Sequence, residues 1–274
     1  MTTPPPLLTD RTALARNRAR AAAAFEPFLH RIAADEIQDR LAMVKKSFNA
    51  PVIVAGQAEF WADVLPGAPV VDDVDVLDLA PGAHDLVIHA MGLHWANDPV
   101  GQLIQCRNAL RPDGAFFAVL FGGRTLTELR AALAQAESEV AGGLSPRVAP
   151  MAEIRDLGAL LQRAGFSLPV ADSLVLDARY ASALHLMAEL RAMGEGNALS
   201  GRLRHFTRGA VIRRAAELYQ EGFASEDGRV KATFEMVFLH GWAPDPSQPQ
   251  PLRPGSAQAR LAEALGAREV PLED

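Results

Sequence analysis

Residues 84–130, HDLVIHAMGLHWANDPVGQLIQCRNALRPDGAFFAVLFGGRTLTELR, read as strand, polar loop, helix, turn, strand, loop and helix. Residues 85–91 make the clearest strand of the first half. Asn97 or Asp98 can cap the helix that follows, whose inner face is Val100, Leu103, Ile104 and Leu110. In Arg111-Pro112-Asp113-Gly114, proline presets the second position of a turn and glycine suits the fourth. Residues 115–120 are uniformly apolar, as a strand covered on both faces requires. Thr125-Leu126-Thr127-Glu128 has the form of a capping box ahead of a helix whose apolar side is Leu126, Leu129, Leu133, Ala136 and Val140.

Upstream, residues 11–24 and 26–46 read as helices, the second with Leu29, Ile32, Ala33, Ile37, Leu41 and Val44 at helical spacing. Residues 51–56 form an apolar strand ending in Gly56, and Val70-Val71 a short one ahead of Asp72 and Asp73. Downstream come a helix closed by Gly165, a strand near 174–176, helices at 181–193 and 209–223, and a late strand at 231–240. A short helix at 257–266 follows a proline-rich run. This alternation predicts an α/β fold, a mainly parallel sheet with helices on both faces and the late strand as an antiparallel edge strand. Three segments are expected: a helical one over 1–50, the α/β domain with helical insertions over 51–243, and a proline-rich tail over 244–274. Ligands in such sheets bind at the carboxyl ends of the strands. Gly56, Asp72, Asp73, the loop 92–98 and Gly122-Gly123 should therefore share one rim.

Composition narrows the function classes. A formal charge of -6 gives no global positive field for nucleic acid. The single cysteine, Cys106, rules out an internal disulfide framework and a cysteine zinc site. No apolar run approaches the roughly 20 residues needed to span a bilayer. The first residues lack an apolar core of signal-peptide length, so a reducing, cytoplasmic location is expected, with the Arg- and Ala-rich run 11–24 as a basic first helix. The spacing of Asp72, Asp73, Asp75 and Asp78 lacks the glycine and glutamate of a calcium loop, so no metal site is expected.

Several motifs together resemble one group of class I S-adenosylmethionine methyltransferase-fold (Rossmann-like) proteins. They are DRTALARNRAR near the start, LHWANDP, RPDG, FGGRTLTELR, SPRVAP, DLGALLQRAGF, and the late HGWAP with LRPGSAQAR. The group includes the mitochondrial respiratory complex I assembly factor that hydroxylates an arginine of a complex I subunit, and its alphaproteobacterial relatives. The chain is more distantly similar to the malonyl-carrier-protein methyltransferase of biotin synthesis. The resemblance implies S-adenosylmethionine as cofactor and a protein substrate or client such as a respiratory complex I subunit. It places Gly56, Asp73, Leu93, His94 and Trp95 around the cofactor, with Asp73 at the acid beside the adenine and His94-Trp95 at the reaction centre.

The chain departs from that pattern at the cofactor loop. The family's first strand ends in an acid and several glycines, where bare backbone meets the cofactor. Here the run is VIVAGQAEFW, with one glycine, no acid, and the bulk of Phe60 and Trp61. The 28 residues between Gly56 and Asp85 are only about half the usual segment, given roughly 30 residues for each full βαβ unit, so the second βα unit is shortened. The usual cofactor pose loses its loop.

His94, with its near-neutral intrinsic pKa, is the candidate general base; alternatively it bonds a loop carbonyl while Trp95 plugs the core. His89, inside its strand, reads as a core histidine. Cys106 has no basic neighbour to activate it. Arg124, Arg130 and Arg147 could hold an acidic partner or serve as surface charge. Two functions stay open: an enzyme acting on a protein side chain, by methyl transfer or arginine hydroxylation, and a scaffold or chaperone whose cofactor pocket is filled, with Phe60 and Trp61 as the filling.

Overall fold

The computed structural model describes residues 7–249. Residues 1–244 form one compact unit and 245–274 a second. In the first, helices α1 (Arg11–Ala22) and α2 (Phe28–Met43) precede β1 (Pro51–Ala55), α3 (Ala58–Val64), β2 (Val70–Val71) and β3 (His84–Ala90). A 3-10 turn at Leu93–Trp95 leads to α4 (Pro99–Ala109) and β4 (Leu110–Phe121). Then come α5 (Thr127–Ala141), α6 (Ile154–Arg163), β5 (Ser167–Tyr180), α7 (Ala183–Ala192), α8 (Gly209–Phe223) and β6 (Val230–Trp242). The expected helix at 257–266 lies outside the described residues. No described helix is long and apolar enough to cross a membrane.

The sheet runs β2-β1-β3-β4-β6-β5. β2, β1, β3 and β4 are mutually parallel, and β6 is antiparallel to both of its neighbours. The α/β reading therefore holds, with one correction: the late strand is antiparallel but interior, and β5 is the edge. The reason lies in the residues that alternate with the apolar Ala232, Phe234, Met236 and Phe238. Thr233, Glu235, Val237 and Leu239 are also buried, so β6 is covered on both faces, whereas β5 alternates between half-buried and exposed positions. The shortened second unit is visible in β2, two residues long, with no helix between it and β3 among the described residues.

Helices pack on both faces of the sheet. One face joins Ile53, Ile88, Phe117 and Phe234 to Leu29, Ala33 and Ile37 of α2 and to the apolar sides of α5, α7 and α8. The other joins Val52, Val87, Phe116 and Leu239 to Leu103 and Cys106 of α4 and Leu157 and Leu161 of α6. Arg111–Gly114 leaves the ladder between the pairs His84–Leu110 and Leu86–Ala115, with Asp113 at φ 59°, so the expected turn is an excursion within β4.

The expected capping box does not form. Thr125 instead donates to the carbonyl of Glu235 (3.1 Å) and accepts from its N–H (3.0 Å). Glu128 accepts from the hydroxyl (2.5 Å) and N–H (3.2 Å) of Thr233. Both side chains are spent on fastening α5 to β6, and Leu126 takes a left-handed conformation at φ 56° to start the helix. Glu128→Ala should cost about 2–3 kcal/mol, the range for hydrogen bonds to a charged group. Urea unfolding measures it, and a loss below about 0.5 kcal/mol would show the bonds to be dispensable.

Candidate functional site

The carboxyl ends of β1, β2 and β3 meet at one rim, and α1 lies across it. Asp10 caps α1 by accepting from the N–H of Ala13 at 3.0 Å. The helix is tied down on both sides. Thr9 donates its N–H to Asn97 Oδ1 (2.9 Å), Asn17 Nδ2 donates to the carbonyl of Gly196 (2.9 Å), and Arg202 pairs with Asp10 (2.9 Å). Arg11 and Arg18, seven residues apart, therefore sit on one face and both reach inward.

Their target is Asp73, which is 2% exposed. Arg18 grips it as a fork, Nη1 to Oδ1 at 2.5 Å and Nη2 to Oδ2 at 2.9 Å. Arg11 adds a bond to the Asp73 carbonyl and one to Oδ1 at 3.3 Å. Burial works against the Arg18 charge, but Asp73, Glu195 and Asp72 outweigh it and raise its pKa. Asp73 is thus buried and paired, whereas its neighbours Asp72, Asp75 and Asp78 are exposed.

Two glycines make this packing possible. A Cβ on Gly56 would collide with the guanidinium of Arg18, and one on Gly92 with the carboxylate of Asp73. Bare backbone is required at both places, with the chain's own ion pair lying on it.

A second cluster adjoins the first. Glu195 follows Gly194, whose φ of +84° and closeness to Gln57 and Arg18 exclude a side chain. Glu195 accepts from Trp95 Nε1 (2.8 Å) and contacts His94 Nε2 (3.2 Å). Burial alone would raise the Glu195 pKa, but His94, Arg18 and the Trp95 N–H hold it below the usual carboxylate range. The other ring nitrogen of His94, Nδ1, is buried and bonded by no described residue. The imidazole packs on Phe121 with centroids 4.9 Å apart.

Of the expected site residues, Gly56 and Asp73 meet through Arg18, and His94 and Trp95 meet through Glu195. Leu93 turns away into the core on the α4 face. His89 is buried and bonds Gln102 at 3.0 Å. Cys106 is buried, which pushes its thiol pKa up. Arg130 bonds the carbonyl of Ala149 at 3.0 Å, Arg147 pairs with Glu137 at 2.5 Å, and Arg124 is exposed. Of the two aromatics expected to fill the rim, Phe60 borders it and Trp61 does not. Trp61 is fully buried, donates to His30 Nδ1 at 3.1 Å and meets Phe60 edge-on, because α3 turns it under the sheet against α2. Arg11, Arg18 and Glu195 carry the site and were not singled out from the sequence. The seven-residue spacing of the two arginines was the available signal.

Two hollows flank these clusters. A cleft of about 410 Å³ lies between α1 and the β1–α3 turn, bordered by Arg11, Arg18, Gly56, Phe60 and Asp73. A cavity of about 240 Å³ lies beyond Trp95, lined by Phe121, Leu129, Met187, Arg147 and Glu195. The residues on the first side do not fit S-adenosylmethionine in the usual pose, because the space over Gly56 holds the Arg18 guanidinium and Asp73 is already engaged.

No family model matches the sequence. The chain is 38% identical over 220 residues to the human protein named arginine-hydroxylase NDUFAF5, mitochondrial, covering 80% of this chain and 64% of that one. It is 34% identical over 179 residues to a malonyl-[acyl-carrier protein] O-methyltransferase of Laribacter hongkongensis, covering 65% of this chain and 57% of that one. Among solved structures, it is similar to a putative methyltransferase of Bacillus halodurans at TM-score 0.49 and 14% identity, covering 77% of this chain and 99% of that one. The chain spans less than two thirds of the length of these curated relatives.

Proposed function

We propose that this chain, similar to the arginine-hydroxylase NDUFAF5 proteins, is a protein of respiratory complex I assembly that binds a protein client. The observation that supports this reading is the contrast between the two sides of the rim. The cofactor side is occupied by the chain's own ion pair, while the far side keeps a cavity of about 240 Å³. A second hollow of about 250 Å³ shares Arg147 and Thr207 with it. Exposed apolar side chains, Leu144, Leu203 and Phe206, stand in or next to that second wall. Apolar groups exposed beside a cavity favour a protein partner.

Deleting the coding sequence should lower the NADH:quinone activity of membranes and the amount of assembled complex I. The wild-type chain should restore both. Met187→Glu, which puts a charge into the cavity from a half-buried position, should fold and fail to restore them. Undiminished complex I in the deleted cells would sink the reading.

A second reading, modification of a client side chain by methyl transfer or arginine hydroxylation, is favoured by the His94–Glu195 pair at the cavity's edge. His94→Ala separates the two. An enzyme loses complementation while still binding its client, whereas a scaffold keeps both.

A further inference from the structure

We propose that Arg18 is a built-in occupant of the cofactor seat, an autoinhibitory plug carried on α1. Three observations converge on it. The guanidinium lies against the bare Cα of Gly56, close enough to exclude even a methyl group there. It takes both oxygens of Asp73 in a fork. Glu195 and Asp72 also favour its charge, while Arg11 shares the Asp73 carboxylate with it.

That charge pattern defines the seat left when Arg18 is absent: bare backbone, the carboxylates of Asp73, Asp72 and Glu195 against the one cation Arg11, and an adjoining cleft of about 410 Å³. A seat of this kind selects a ligand carrying positive charge. The sulfonium and ammonium of S-adenosylmethionine supply it, and the cleft's volume falls within the roughly 300–1,000 Å³ of small-molecule sites. The side chain is no loose surface arginine. It is only 11% exposed, and its helix is fastened through Asp10, Thr9 and Asn17. A ligand must therefore displace a paired, tethered cation, and the wild-type protein stays closed to it.

This inference rests on the family reading for the identity of the ligand but not on any client, so complex I assembly and ligand stabilisation fail independently. The test is thermal unfolding of the full chain with and without 1 mM S-adenosylmethionine. Arg18→Ala should melt lower than wild type and be raised by the ligand by about 5 °C, the shift expected at some hundredfold excess over Kd. Wild type should not move. S-adenosylhomocysteine, lacking the sulfonium charge, should raise the variant less. Should Arg18→Ala fail to fold, Arg18→Gln, which withdraws the end of the side chain and its charge while keeping an amide donor, takes its place with the same expectation. An equal ligand shift in wild type, or no shift in the folded variant, overturns the plug.

Discussion

Replacing Asp73 with alanine should lower stability by about 3–5 kcal/mol, the cost of removing one partner of a buried ion pair. The carboxylate is 2% exposed, and the side chains of Arg18 and Arg11 are 11% and 23% exposed. Its loss leaves two guanidiniums facing each other at the rim. Arg11 retains its bond to the backbone carbonyl at position 73 and, as a charge partner, only a 3.9 Å approach to the exposed Asp75. For a chain of this size the melting temperature should fall by roughly 10 °C. Removing Arg18 as well, as Arg18→Met with Asp73→Leu, should recover part of the loss, because an apolar replacement leaves fewer unmatched charges. A loss under about 1 kcal/mol for Asp73→Ala would mean that the pair does not hold α1 to the rim.

The second large effect is with pH. Burial pushes the pKa of both His30 and His89 down from 6.5 to about 4. In the folded protein both stay neutral where the unfolded chain binds protons. Their contribution is therefore complete above pH 6.5 and is lost as pH falls towards 4, at about 3 kcal/mol for each ring. Glu195, whose folded pKa is also lowered, adds a loss of the same sign at still lower pH. Urea midpoints measured from pH 7 to 4.5 should fall steeply. His89→Gln should remove about half of that slope whatever it does to the baseline at pH 7. An unchanged slope in the variant would mean that His89 is charged in the folded state.

The architecture was legible because its signals are local. The apolar stretch at residues 115–120, the caps and glycines at helix ends, and the alternation of elements each follow from a few neighbouring residues. The edge assignment failed because burial of Thr233 and Glu235 depends on partners over a hundred positions away, Thr125 and Glu128. The same distance hid the use of the apparent capping box. At the rim, the lost glycines and shortened second unit showed that the cofactor side had changed, but not what had taken its place. Aromatic bulk at Phe60 and Trp61 suggested the filling, yet the helical phase of α3 sends Trp61 into the core beside His30. The occupant is a charged side chain from 38 positions upstream of Gly56, and its partners Asp73 and Glu195 stand in loops without a motif. Only the fold brings these residues together.

Calorimetric titration of the wild-type chain with S-adenosylmethionine tests most directly whether the chain's own Arg18 fills the seat over Gly56. No binding heat at millimolar ligand is the expected result. Stoichiometric binding at micromolar Kd, about -8 kcal/mol, would contradict it and return Gly56, Asp73 and His94 to a working cofactor site.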